Sequence, residues 1–194
     1  MNNFIGEIIM RTLRNTAVIC IMLITALFAC DAYATTMIRQ TVGEMSNAAD
    51  SIIVGKVVKT VSEWNLTRTT IMTYTTIEVT DEVKGVGSPK TVVIESLGGI
   101  VGDIGQNVGG SAEYQVGEEV LVFVDDNAGR PRTVGMMQGK YDIVTDSATG
   151  EKRIKHKIDG SVLFLKQDGS RAVVEAPASV TLGEFIGIIK RELK

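Results

Sequence analysis

Two long runs rich in Val, Ile and Thr constrain this chain more than anything else in it. Ile71 to Lys84 alternates: Ile77, Val79 and Val83 fall on one face, and Glu78, Thr80 and Glu82 on the other. That period of two marks a strand with one buried and one wet face. Ser51 to Trp64 is as long but apolar on both faces. Ile53, Val57 and Val61 share one face; Ile52, Val54 and Val58 share the other. Such a strand is covered on both sides, or it bends so that its faces exchange roles. A chain with these two runs folds around sheet.

Shorter runs extend the pattern. Thr91 to Ser96 is a third strand after the turn chemistry of Gly85-Val86-Gly87-Ser88-Pro89. Val120 to Val124 is wholly apolar, as a central strand would be. Further strands are expected at Thr133–Val134, Lys140–Thr145, Lys152–Lys157, Val162–Lys166 and Ala172–Glu175. Helical signals stand at both ends of this series. Thr41-Val42-Gly43-Glu44 and Thr181-Leu182-Gly183-Glu184 both have the capping-box form. The first opens a short helix to about Ala49. The second opens one with the apolar stripe Leu182, Phe185, Ile189 and Leu193, and Val180 is placed to staple onto Phe185. Gly183 and Gly187 each weaken that helix by about 1 kcal/mol relative to Ala, so it needs a sheet to dock on. The expected fold is mainly β: an OB-like, closed or partly open β-barrel with a short N-terminal helix and a C-terminal helix.

The first 34 residues read as an address. Arg11 and Arg14 precede an uncharged, mostly apolar run from Asn15 to Cys30, shorter than the roughly 20 residues a spanning helix needs. Ala32 and Ala34 then supply small residues at −3 and −1 of a cleavage site. Residues 1–34 are thus expected to be a signal peptide, with Met10 an alternative start. Residues 35–194 form a single exported domain, which the C-terminal hairpins and helix over 151–194 extend. Two alternatives stand beside this: an uncleaved N-terminal anchor, and a lipobox at Leu27-Phe28-Ala29-Cys30, with Cys30 lipidated and the chain tethered to a membrane. Phe28 departs from the slim residues usual there. Both cysteines, Cys20 and Cys30, lie in the leader. Cleavage after Ala34 removes thiol catalysis, cysteine zinc sites and disulfides together. The expected location is periplasmic or extracellular, or lipid-anchored in the alternative.

The chemistry in the rest is sparse. A net charge of −3 lacks the basic excess of a nucleic-acid binder, and aromatics at 5% offer few stacking rings. His156, the single histidine, lies in Glu151-Lys152-Arg153-Ile154-Lys155-His156-Lys157 and reads as a solvated surface residue. With one histidine there is no H-E-x-x-H, and a catalytic zinc is poorly served. The Lys152–Lys157 cluster reads as protection of a strand edge, with anionic lipid or a polyanion as the alternative contact. Asp125-Asp126-Asn127-Ala128-Gly129 lacks the ligand spacing of an EF-hand and reads as a turn. Carboxylate-pair catalysis stays open, because only spatial separation decides it. Asn65-Leu66-Thr67 fits the glycosylation sequon, which a bacterial export reading would make uninformative. The glycine-rich stretch Leu97 to Gly110 is neither a P-loop nor a dinucleotide fingerprint, since no G-K-[ST] and no helix follow. It is either a connection whose glycines take positive φ or pack closely, or a binding loop. The candidate binding residues are Gly98, Gly99, Gly102, Asp103, Gly105, Gln106 and Asn107 in this stretch, with Trp64 as an anchoring aromatic.

Ala49-Asp50-Ser51-Ile52-Ile53-Val54-Gly55-Lys56-Val57, the later VTDEVKG from Val79 to Gly85, and Gly117-Glu118 before VLVFV resemble a family of secreted bacterial proteins without an established function. The resemblance covers roughly Ala48 to Val144, and its motifs carry no known chemistry. The A-D-x-x-x-x-G-x-V strand, followed by a long strand ending in K-G, is also similar to the OB-fold of tissue inhibitors of metalloproteinases. Those inhibitors chelate the protease zinc through an N-terminal cysteine. Thr35 would stand there in this chain, so the fold analogy carries over and the mechanism does not.

The functional expectation is an exported, non-enzymatic module, without a cofactor or metal, that binds a protein or an envelope component. It does not bind nucleic acid, and it meets a membrane only if Cys30 is lipidated. A metalloprotease inhibitor-like protein and a carboxylate-dependent hydrolase are the alternatives. N-terminal sequencing and intact mass of the exported protein are expected to place Thr35 first; a lipid adduct on Cys30 would select the tethered form instead.

Overall fold

The computed structural model describes residues 11, 13–16, 18, 35–85, 87, 89–126, 128–173 and 180–194. The chain divides into two compact units, Met1–Tyr33 and Ala34–Lys194. In the first, the described residues are helical and exposed. No helix among the described residues is long and apolar enough to cross a membrane. Cys30, Ala32 and Ala34 lie outside the described residues.

The second unit is mainly β. Its centre is β2 (Ser51–Trp64), paired antiparallel with β3 (Ile71–Lys84) on one side and β7 (Glu119–Asp126) on the other. β4 (Thr91–Leu97) continues beyond β3, and β9 (Lys140–Thr145) and β10 (Lys152–Lys155) continue beyond β7. β8 (Pro131–Thr133) pairs with β7 off this path. The order β7-β2-β3-β4 is a Greek key: three strands in sequence, and a fourth that returns over a long connection to lie beside the first. The hydrogen-bonded path does not run round into a closed barrel. Among the described residues, β10 and β4 are its ends.

β2 has to satisfy both of its faces, and three irregularities in its ladder with β3 let it do so. Ile52 and Val54 join a cluster with Leu121, Phe123, Tyr141 and Ile143 beneath the helices. Ile53 and Val57 join the opposite cluster with Ile77, Ile94, Val120 and Val122. At Val58 the ladder skips a residue, because Val57 pairs with Ile77 and Lys59 with Thr76. A bulge of one residue turns every later side chain to the other face. Val61 therefore does not share a face with Ile53 and Val57; Thr60 and Ser62 take that place, and Val58 is left exposed. Val83 is likewise shifted and packs on the helix-side cluster, not with Ile77 and Val79.

The helices cover one face of this sheet. α1 (Val42–Ala48) and α2 (Leu182–Glu192) each begin at a complete capping box, with Thr41 and Thr181 bonded to the N3 backbone and Glu44 and Glu184 returning to the cap. Met45, Phe185 and Ile189 are buried in the helix-side cluster, and Val180 packs there with Phe185 as a staple. Gly187 and Gly183 are tolerated because this docking supplies what propensity lacks. The last carbonyls of α1 are held by a side chain: Lys84 Nζ donates to Ser46 O at 2.9 Å and to Ala49 O.

The second face carries no helix. Tyr114, from the connection that leads into β7, packs on it. The sheet curls enough that Arg132 on β8 reaches Glu95 on β4 at 3.3 Å. Two small pieces complete the unit. β1 (Thr35–Ile38) runs parallel to β11 (Val162–Leu165), a pairing that the sequence pattern does not signal. A 3-10 turn, Met136–Gly139, carries buried Gln138, which donates to Ile38 O at 3.0 Å and accepts from Gln40 N at 2.9 Å. Of the expected last strand, Arg171 makes a single bridge to Leu165, Ala172 and Val173 are not strand, and Val174 and Glu175 lie outside the described residues.

β10 ends the hydrogen-bonded path, with Lys152 and Lys155 exposed and Lys152 paired to Glu119 at 2.8 Å. Its Ile154 N–H is covered by Val180 O at 2.9 Å. His156 is not a solvated residue. It is half-buried, stacks on Tyr141 at 4.3 Å and meets Met137 O at 3.3 Å through Nε2. Burial holds its pKa below the ordinary 6.5, against the opposing hydrogen bonds.

The ammonium of Lys84 is the testable element of the helix packing. Lys84→Met keeps the aliphatic stem and removes a charged donor from the α1 carbonyls. It is expected to lower unfolding free energy by about 2 kcal/mol, read as a lower urea midpoint with an unchanged m-value.

Candidate functional site

The Val58 bulge puts hydroxyls where the strand pattern would otherwise put hydrocarbon. Cross-strand partners share a face. Thr60 pairs with Thr75, Ser62 with Thr73, and Thr73 in turn with Ser96. The helix-free face is thus apolar around Ile77 and Val120 and hydroxyl-bearing toward the β2–β3 turn.

The glycine-rich connection lies over this hydroxyl patch. It is not a plain loop: β5 (Gly99–Val101) and β6 (Ile104–Gln106) form a small antiparallel hairpin. Gly98 (φ 90°) and Gly99 (φ 135°) let it approach the sheet. A Cβ on Gly99 would collide with both the Ser62 and Thr73 hydroxyls, and one on Gly98 would lie 2.7 Å from Gln106 O. Between connection and sheet is a pocket of about 660 Å³, within the size range of small-ligand sites.

Five of the eight candidate residues line this pocket: Gly98, Gly99, Gly105, Gln106 and Asn107. Gly102 and Asp103 do not. They form the exposed tip of the hairpin, where a Cβ on Gly102 would meet nothing within 4 Å. Trp64 does not line it either; it ends β2 opposite Ile71 and is half-buried. The lining residues that sequence reasoning missed include the hydroxyls Thr60, Ser62, Thr73 and Ser96, Ser111 and Tyr114 beyond the hairpin, and the apolar Leu97, Ile100, Val108 and Ala112.

The hydrogen bonds of the floor have a direction. Thr73 Oγ1 donates to Gly98 O at 2.6 Å, since a carbonyl only accepts. Ser62 Oγ, 2.8 Å from Thr73 Oγ1, is therefore the donor of that pair and keeps its lone pairs for the pocket. Ser111 Oγ spends its proton on Leu97 O at 2.7 Å. Gln106, a lining residue, accepts from Ile71 N through Oε1 at 2.6 Å, which leaves its amide NH₂ as the group still able to donate. Thr75 Oγ1, on the same face and fully buried, has no hydrogen-bond partner among the described residues.

A charged latch holds the far end of the connection. Buried Lys140 lies 3.0 Å from Glu118 Oε2 and 2.8 Å from Asp142 Oδ1. The Asp142 contact is an ion pair. Glu118 Oε2 also accepts from Gln115 N at 3.0 Å. The Lys140 ammonium lies 5.1 Å from the centroid of the Tyr114 ring, whose hydroxyl meets Thr133 Oγ1 at 2.6 Å. Burial holds the Tyr114 phenol well above its usual range, with the Asp142 and Glu118 charges adding to it and the Thr133 bond opposing.

This arrangement bears on the chemical alternatives. Glu118 and Asp142 are close carboxylates, and one ammonium sits against both. No group of three or more metal-ligating side chains occurs among the described residues. Thr35, the expected first residue after cleavage, is engaged in the parallel ladder with Val162.

No family model matches this chain, and neither does any curated protein.

The buried Thr75 hydroxyl gives a signed expectation. Thr75→Val replaces an unsatisfied polar atom with a methyl group of similar size. It is expected to raise unfolding free energy by about 1 kcal/mol, read by urea denaturation; a loss of stability would mean the hydroxyl has a partner.

Proposed function

We propose that this chain is an exported, non-enzymatic binding module of OB-like type. Its binding site is the hydroxyl-floored pocket beneath the β5–β6 hairpin, and it recognises a protein or an envelope component. The single observation that carries this is the hairpin itself. Its backbone approaches the Ser62 and Thr73 hydroxyls so closely at Gly99 that a Cβ there would collide with both, and an open pocket of about 660 Å³ lies between it and the sheet.

Three features support the OB-like assignment. The five strands β9-β7-β2-β3-β4 hold a Greek-key order, the sheet curls until β8 reaches β4, and the helix-free face is buried against itself. The pocket lies on the strand face and beside the connecting loops, where ligands of this fold class bind. Division of the chain at Tyr33 and the leader pattern before it support the export reading.

The test is Gly99→Val. Its branched side chain must push the hairpin off Ser62 and Thr73. Cosedimentation of the purified protein with cell-envelope material from its host is expected to fall at least tenfold, while far-UV circular dichroism stays that of the parent. Equal cosedimentation by both proteins would remove the pocket as the site. Hydrolysis of envelope material by the parent would overturn the non-enzymatic reading.

A further inference from the structure

The donors and acceptors of the pocket specify the chemistry of its occupant, given the reading that this pocket is the binding site. We propose that it binds a short, neutral oligosaccharide.

Four observations lead there. First, the lining is nearly uncharged: Glu113 is the one ionisable carboxylate or cation among the residues that line it. A phosphorylated or acidic ligand would find no Lys or Arg in the lining to pair with, and desolvating its charge there would be costly. Second, the polar groups are of both senses and fixed. Ser62 and Ser111 have already given their protons to Thr73 and Leu97 O, so they offer lone pairs. Gln106 has its oxygen engaged by Ile71 N–H, so it offers only N–H. The occupant has to donate and to accept at neighbouring points, as ring hydroxyls do, since each is one donor and two acceptors.

Third, the floor of the pocket is the face of the sheet, where Ser62, Thr73 and Ser96 stand, while Gln106 reaches it from the hairpin and Ser111 from the connection beyond. An extended peptide docks by backbone pairing with a free strand edge. Here Leu97 O, at the end of β4, already accepts from Ser111, and the floor presents side chains from β2, β3 and β4. Fourth, the pocket carries one aromatic, Tyr114, whose ring lies near the Lys140 ammonium. Polar contacts, more than stacking, therefore provide the recognition.

The experiment is NMR titration of the purified protein with three uncharged trisaccharides: maltotriose, cellotriose and N,N′,N″-triacetylchitotriose. A neutral hexapeptide of Gly, Ser and Ala serves as a fourth probe. Saturable shifts of the Ser62, Thr73 and Gly99 amides and of the Gln106 side-chain NH₂ are expected with at least one trisaccharide. Gln106→Glu keeps the acceptor for Ile71 N–H and removes the pocket donors; Ser62→Ala removes a lone-pair acceptor. Each is expected to weaken the saccharide at least tenfold with the thermal midpoint little changed. If the peptide shifts those resonances and no saccharide does, the pocket still binds and the oligosaccharide assignment is overturned. If no probe shifts them, the assignment is overturned as well, and the envelope cosedimentation of Gly99→Val decides the broader reading separately.

Discussion

The structure depends on β2 being buried on both sides. A strand with one wet face needs only one core. β2 lies between β3 and β7 and has helices over its first half, so it needs two. Ile52 and Val54 are buried toward the helices, and Ile53 and Val57 toward the curled sheet. The hydrophobic driving force for that arrangement is large, since each fully buried Ile or Val contributes about 1.5–3 kcal/mol. Had the alternation continued unbroken, Val61 would have extended the apolar face and the end of the sheet would have filled with hydrocarbon. The bulge at Val58 prevents this. It exposes one valine and turns Thr60 and Ser62 inward, facing Thr75 and Thr73. The Thr60 and Ser62 hydroxyls on the floor of the pocket are a consequence of that one unpaired residue.

The glycine-rich connection and the latch belong to the same design. A hydroxyl floor would be a defect if it were buried under apolar side chains, because its polar groups would lose their partners. Instead a backbone lies over it. Gly98 O takes the Thr73 proton, and Leu97 O takes that of Ser111. The glycines allow this approach, and Lys140 fixes the end of the connection through Glu118. Breaking that buried cluster by removing one partner would leave an uncompensated charge, the costly way to lose a salt bridge.

Much of the fold is legible in the sequence, for local reasons. Both capping boxes, the long strands, β7 and β9 follow from short patterns with a direct backbone meaning. Contacts between distant residues are not legible. β1 is four residues whose partner lies at Val162–Leu165, and nothing in Thr35–Ile38 announces it. His156 is misread from sequence because its neighbours along the chain are cations, whereas its spatial neighbours are Tyr141 and Met137. Alternation on β10, with Ile154 inward and Lys155 outward, already places the next even position inward. For the proposed site, the glycines point to the segment that lies over the pocket, but they do not separate the tip residues Gly102 and Asp103 from those that line it. Half of the floor is readable, since Thr73 and Thr75 share the parity of Ile77. The other half, Thr60 and Ser62, is hidden by a bulge that no propensity signals.

The claim that the Val58 bulge turns hydroxyls beneath the hairpin is tested most directly by nuclear Overhauser effects. The account predicts cross-peaks from the Gly99 Hα protons to Ser62 Hβ and to Thr73 Hβ. Cross-peaks from Gly99 to Val61 and Tyr74 in their place would put the opposite face of the strands under the hairpin and contradict it.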